Sequence, residues 1–152
     1  GKIDEFTQKI TALGQLHPRY SAIKSIPGFG PILTAALISE IGSGKQFKNG
    51  RQFSAWCGLV PKQNSTGGKS SLGAISKNGN RDLRTLFIHG ARAVVRCGAD
   101  KENAMGYWLR GLIARRGKAK TIVALANKLG RIAWHVLAKN TEYDINQAFN
   151  PV

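Results

Sequence analysis

Ser65, Thr66, Ser70 and Ser71 place four hydroxyls in one glycine-rich stretch, with Lys62, Lys69 and Lys77 among them. A hydroxyl held among cations can attack a phosphodiester, provided its proton is taken and the charge on the pentavalent phosphorus is stabilised. The same residue types also simply hold a phosphate, through loop amides and ammonium groups. Composition leaves both readings open. A Walker A loop is excluded, because Gly68-Lys69-Ser70 has the right ending but Gln63 stands where the motif needs its first glycine. Gly42-Ser43-Gly44-Lys45 fails as well, since Gln46 follows the lysine.

A second phosphate-directed feature lies upstream. Ser25-Ile26-Pro27-Gly28-Phe29-Gly30-Pro31 reads as a tight turn between two helices, the helix-hairpin-helix arrangement. Gly28 and Gly30 permit positive φ and put no Cβ between turn and ligand, while Pro31 suits the first position of a helix. Free amides and the helix dipole there favour an anion, so Gly28, Phe29 and Gly30 are candidate phosphate contacts. The plain alternative is an αα-turn with no ligand. A dinucleotide fold does not fit, since Leu33 replaces the third glycine of its fingerprint and no strand precedes the turn.

Charge favours a polyanionic partner. The chain carries 23 Lys plus Arg against 8 Asp plus Glu, a formal net charge of +15, spread from Lys24 to Arg131 rather than gathered in one tail. A folded basic face for nucleic acid is the expectation. No apolar run is long enough to span a bilayer and no secretory signal is present, so no membrane partner is expected. Cys57 and Cys97 match no metal-ligand spacing and are expected as buried or partly buried thiols of a reducing compartment. The three histidines are scattered too, and no zinc site is indicated.

The elements that must position these groups are helical. Ile3, Phe6, Ile10, Leu13 and Leu16 give one amphipathic helix that ends before Pro18, the tail of a longer linker helix in the division 1–18. Residues 19–25 and 31–41 form the hairpin arms, and a short helix runs from Gly50 to Gly58. Residues 59–80 read as an irregular, basic loop or small hairpin. Helical periodicity returns over Arg81–Arg96 behind an Asn80 cap, then from Asp100 or Asn103 to Ala114, then over Lys118–Lys139. Residues 19–140 thus form one all-α domain, a hairpin plus a helical bundle, and 141–152 a loose tail. His89, flanked by Phe87, Ile88 and Ala91, reads as a packing residue rather than a general base, and Trp56, Trp108 and Trp134 as core.

Three ordered blocks carry a resemblance: Ile26-Pro27-Gly28-Phe29-Gly30-Pro31, then Phe53 and Trp56 through Gln63, then Ser65-Thr66-Gly67-Gly68-Lys69 through Leu72-Gly73, Ile75-Ser76-Lys77, Gly79-Asn80 and Leu83-Arg84. Together they resemble the C-terminal domain of a bacterial insertion-sequence transposase family, over about residues 20 to 100. The resemblance implies a serine that attacks a DNA phosphate and forms a phosphoserine link. It also implies a RuvC-like DEDD front domain holding divalent metal such as magnesium, and a structured noncoding guide (bridge) RNA. The nucleophile then falls at Ser65 or Thr66; Lys62, Gly67, Gly68, Lys69 and Lys77 bind phosphate, and Arg81 and Arg84 clamp the strand from the following helix.

The acids of this chain are scattered and form no two-metal cluster, so no metal or cofactor is expected in this domain. The implied protein is a bacterial, cytoplasmic, nucleoid-associated recombinase, a homo-oligomer when full length, and this domain alone binds nucleic acid without exchanging strands. Two alternatives stand beside it: a non-catalytic helix-hairpin-helix module for DNA or RNA, and a DNA-repair glycosylase, which would need a suitably placed aspartate or lysine.

Overall fold

Short polar side chains and glycines set the helix boundaries. The computed structural model describes residues 2–60 and 78–150, all helices and connections, with no strand among the described residues. Helix α1 (Lys2–Gln15) is followed by α2 (Tyr20–Lys24) and α3 (Pro31–Ile41), the two arms of the turn. Asn49 opens α4 (Gly50–Trp56) by accepting the Gln52 amide at 2.8 Å. Helix α5 covers Asn78–Gly98, so Asn80 lies inside the helix and not at its cap. Asn103, not Asp100, opens α6 (Ala104–Arg116), accepting the Gly106 amide at 2.8 Å. Gly117, at φ +88°, turns the chain into α7 (Lys118–Ala138).

Helix α7 is the axis of the molecule, with α2, α4, α5 and α6 packed on it. Its buried line, Leu125, Leu129, Ala133 and Val136, recurs every three or four residues, the period of one helix face. Glycines let α4 approach closely. A Cβ on Gly130 would stand 2.8 Å from Ser54 Oγ, and that hydroxyl donates to the Asn127 carbonyl at 3.1 Å. The core is closed by aromatic edges: Phe87 meets Phe29 at 5.5 Å and Phe53 at 6.3 Å between centroids. Such edge contacts add to the area buried.

Three expectations change here. Helix α1 lies across α3, but its contact is Gly14 against Ala35, and Leu13 and Leu16 are 69% and 80% exposed. Leu13 and Leu16 therefore stand off that contact. The closing residues are no loose tail, because Asp144 caps a short helix α8 (Ile145–Phe149) whose Phe149 is buried and packs edge-on against Trp108. Cys97 is exposed, whereas Cys57 is buried and its thiol is pushed well above its ordinary value by burial, which makes it a packing residue.

Candidate nucleic-acid interface

The turn between α2 and α3 has two glycines in different roles. Gly28 adopts φ +86°, a conformation that side chains resist, and the place of its Cβ is taken by α5 at Gly90 and Val94. Gly30 is the cap of α3 in ordinary extended backbone, at φ −83° and ψ −177°, so it does not need positive φ. It is exposed, and nothing lies within 4 Å of where its Cβ would be. Phe29 turns inward: its ring is buried against Phe87 and its amide donates to the Ile26 carbonyl at 3.1 Å. It anchors the turn rather than meeting a ligand. What the turn offers outward is Gly30 and the first amides of α3, which a helix leaves without intrahelical partners.

Helix α5 supplies the charge. Arg81, Arg92 and Arg96 are exposed and recur at helical spacing along one line, with Arg84 at its edge. From Arg81 to Arg96 that line is about 22 Å long at the helical rise per residue. Arg84 lies over the turn that ends α4, where Gly58 has φ +75° and its Cβ would meet Arg84 Cδ at 3.4 Å. Gly90, which receives the hairpin turn, sits roughly opposite the arginine line at about 100° of rotation per residue. The hairpin turn and the arginine line therefore occupy different faces of α5. His89 is exposed beside that line and is not the packing residue its neighbours suggested.

Among the described residues no acid is ion-paired with the line. Among the described residues the ion pairs are Arg19–Glu142 at 3.2 Å and Arg110–Glu102 at 3.4 Å, and neither includes an arginine of the line. A further basic corner, Arg115, Arg116, Lys118 and Lys120, is exposed around Gly117. Among the described residues no three His, Cys, Asp or Glu side chains gather as a metal site, and no helix is long and apolar enough to cross a membrane.

A family model described as "Transposase IS116/IS110/IS902 family" matches residues 20–106. The chain belongs to the IS116/IS110/IS902 transposase family. It is 48% identical over 142 residues to a probable family 20 transposase of Pseudomonas aeruginosa, covering 93% of this chain and 42% of that protein. It is 40% identical over 141 residues to the transposase of insertion sequence element IS1111A from Coxiella burnetii, covering 93% and 39%. The transposase of IS1328 from Yersinia enterocolitica is 40% identical over 119 residues, covering 78% and 36%. The chain spans about two fifths of the length of these relatives.

Within this IS116/IS110/IS902 family member, Ser65, Thr66, Lys62, Gly67, Gly68, Lys69 and Lys77 lie outside the described residues. Helix α4 and the turn at Gly58 lead to them, and α5 follows them. The sequence reading missed Gly90 as the seat of the hairpin, and missed Arg92 and Arg96 as continuations of Arg81 and Arg84. The arginine spacing carried that signal. Gly90 carried none, since a glycine inside a helix does not announce which backbone approaches it.

Proposed function

We propose that this chain is the nucleic-acid-handling part of a DNA transposase, in which a hydroxyl of Ser65 or Thr66 breaks and rejoins DNA strands. The observation that carries the reading is the exposed arginine line of α5, which starts directly after the hydroxyl-bearing segment in a chain of this family. Arginine forks on such a line match phosphate geometry, and Arg81, Arg92 and Arg96 in register follow a strand backbone better than scattered charge does.

In the proposed reaction the hydroxyl oxygen bonds to phosphorus as the phosphorus–deoxyribose oxygen bond breaks. The hydroxyl gives up its proton, and the departing deoxyribose oxygen gains one. The product is a phosphoester on the side chain, which a second strand end resolves by the reverse displacement. Lys62, Lys69 and Lys77 stabilise the charge on the phosphoryl oxygens, while Arg81 and Arg84 hold the flanking strand. Gly30 and the first amides of α3 meet a phosphate on the other face of α5. Magnesium belongs in a separate RuvC-like domain, a structured guide RNA selects the DNA, and the full-length protein works as a homo-oligomer in the bacterial cytoplasm.

The test is a trap for covalent protein–DNA adducts with the complete transposase, its RNA and its DNA. Ser65→Ala and Thr66→Ala are made separately. The adduct is expected to vanish in one variant and persist in the other. Adducts and products unchanged in both variants would mean that the chain is a non-catalytic binding module.

A further inference from the structure

A cleft of about 490 Å³ opens between the connection after α3 and the side of α4, lined by Gln46, Phe47, Asn49, Arg51, Gln52 and Trp56. Its size falls within the range of small-molecule sites. We infer that it receives one unpaired nucleobase of a single strand, an inference that rests on the nucleic-acid reading above.

Aromatic surface comes first. The Phe47 and Trp56 rings stand 5.4 Å apart at 60°, forming a corner, and Trp56 is backed by Phe53, stacked at 6.1 Å and 28°. Phe53 is fully buried, so the corner is fixed to the core, while Phe47 and Trp56 keep part of their surface open. Trp56 thus packs on the core, as its apolar setting suggested, but is only half-buried there. Trp134 is enclosed, with its indole N–H donating to the Gly44 carbonyl at 2.7 Å.

Polar groups complete the set. Gln46 Nε2 donates to the Ile41 carbonyl at 3.1 Å, which leaves its oxygen as an acceptor. Asn49 Oδ1 accepts the Gln52 amide at 2.8 Å and Gln52 Oε1 accepts the Lys48 amide at 2.6 Å, which leaves both side-chain NH₂ groups as donors. Arg51 is exposed and has no carboxylate partner among the described residues. An aromatic face, carboxamide donors and acceptor, and a free guanidinium are what an unstacked base and its phosphate require. An apolar peptide would leave the carboxamides unpaired, and an acidic one would gain nothing from the rings. Trp56 also stands nine positions before Ser65, so the cleft lies within about 30 Å of extended chain from the proposed nucleophile.

The experiment titrates the complete chain with end-labelled ten-nucleotide oligothymidylate, ten-nucleotide oligouridylate and a twenty-base-pair DNA duplex, reading fluorescence anisotropy. Trp56→Ala is expected to weaken at least one single strand about tenfold or more, and to leave the duplex within about twofold. Trp56→Phe keeps a π face and should retain most of the binding. If Trp56→Ala does not fold, as judged by circular dichroism, exposed Arg51→Ala takes its place with the same expected selectivity. A loss on oligothymidylate alone assigns a DNA base, a loss on oligouridylate alone an RNA base, and a loss on both an unpaired base of either. Duplex binding without single-strand binding by the unaltered chain, or equal loss on all three probes, overturns the cleft assignment and leaves the proposed function standing. No binding to any probe by the unaltered chain overturns both.

Discussion

Gly28 and Gly90 meet backbone to backbone. A Cβ on Gly28 would stand 3.1 Å from the Gly90 carbonyl oxygen, and one on Gly90 would collide with the Gly28 carbonyl oxygen. The hairpin turn is thereby seated on α5, and the seat admits no side chain from either partner. Gly28→Ala adds a strained φ to this crowding, and Gly90→Ala adds only the crowding. Each is expected to cost about 1–3 kcal/mol, measured by denaturant unfolding. Neutral behaviour of Gly90→Ala would refute the seat.

Gly30 separates binding from stability. A serine there has room for its side chain and is a good helix cap, so Gly30→Ser should leave stability within about 0.5 kcal/mol or raise it slightly. Its hydroxyl would occupy an amide of the α3 first turn, the group proposed to meet phosphate. Weaker binding to duplex DNA with an unchanged melting temperature is the expected pair of results. Unchanged binding would leave the turn a purely structural element.

The arginine line should be read in salt. If roughly six phosphates are neutralised in all, the log–log slope of affinity against salt on duplex DNA is about −5. Removing Arg92 and Arg96 together should make that slope shallower by about 2, without changing the melting temperature, because both side chains are exposed. A slope that does not move would show that the DNA backbone lies elsewhere, the corner at Arg115 to Lys120 being the next candidate.

How far the sequence was legible follows from the physics of each signal. Helices with a strong apolar period, above all α7, could be read because periodicity records burial directly. Helix α1 has the same period and yet Leu13, and Leu16 just past its end, are exposed, while Gly14 meets Ala35, a contact that no hydrophobic pattern reveals. The end of the chain misled for a related reason. Its few apolar residues are too short a run to show a period, and Phe149 finds its partner, Trp108, some forty positions away. At the candidate interface, Arg81 and Arg84 were visible from residue type and position. The opposed faces of α5 were not, because they depend on where a distant turn docks.

That docked end gives a stability test. Phe149 is 3% exposed, and Lys128 Nζ lies 5.4 Å from both the Trp108 and the Phe149 ring centroids. Phe149→Ala removes a buried ring and one side of this sandwich, at an expected cost of about 3 kcal/mol. A loose tail would lose nothing.

Tyr143, beside α8, should make the protein sensitive to alkali. Burial, aided by the Asp144 carboxylate, pushes its hydroxyl up from 10.0 to about 12, and the hydroxyl has no hydrogen-bond partner among the described residues. The folded state therefore keeps the proton that the unfolded chain gives up near its ordinary value. The stabilisation from this group is complete below pH 10 and is lost as the pH climbs through about 12. Tyr143→Phe removes an unsatisfied polar group, so at neutral pH its stability should equal or exceed that of the unaltered protein. Between pH 10 and 12 the variant should lose less stability than the parent, as urea midpoints on both proteins would show. Parallel curves would mean that Tyr143 ionises as freely in the fold as in the unfolded chain.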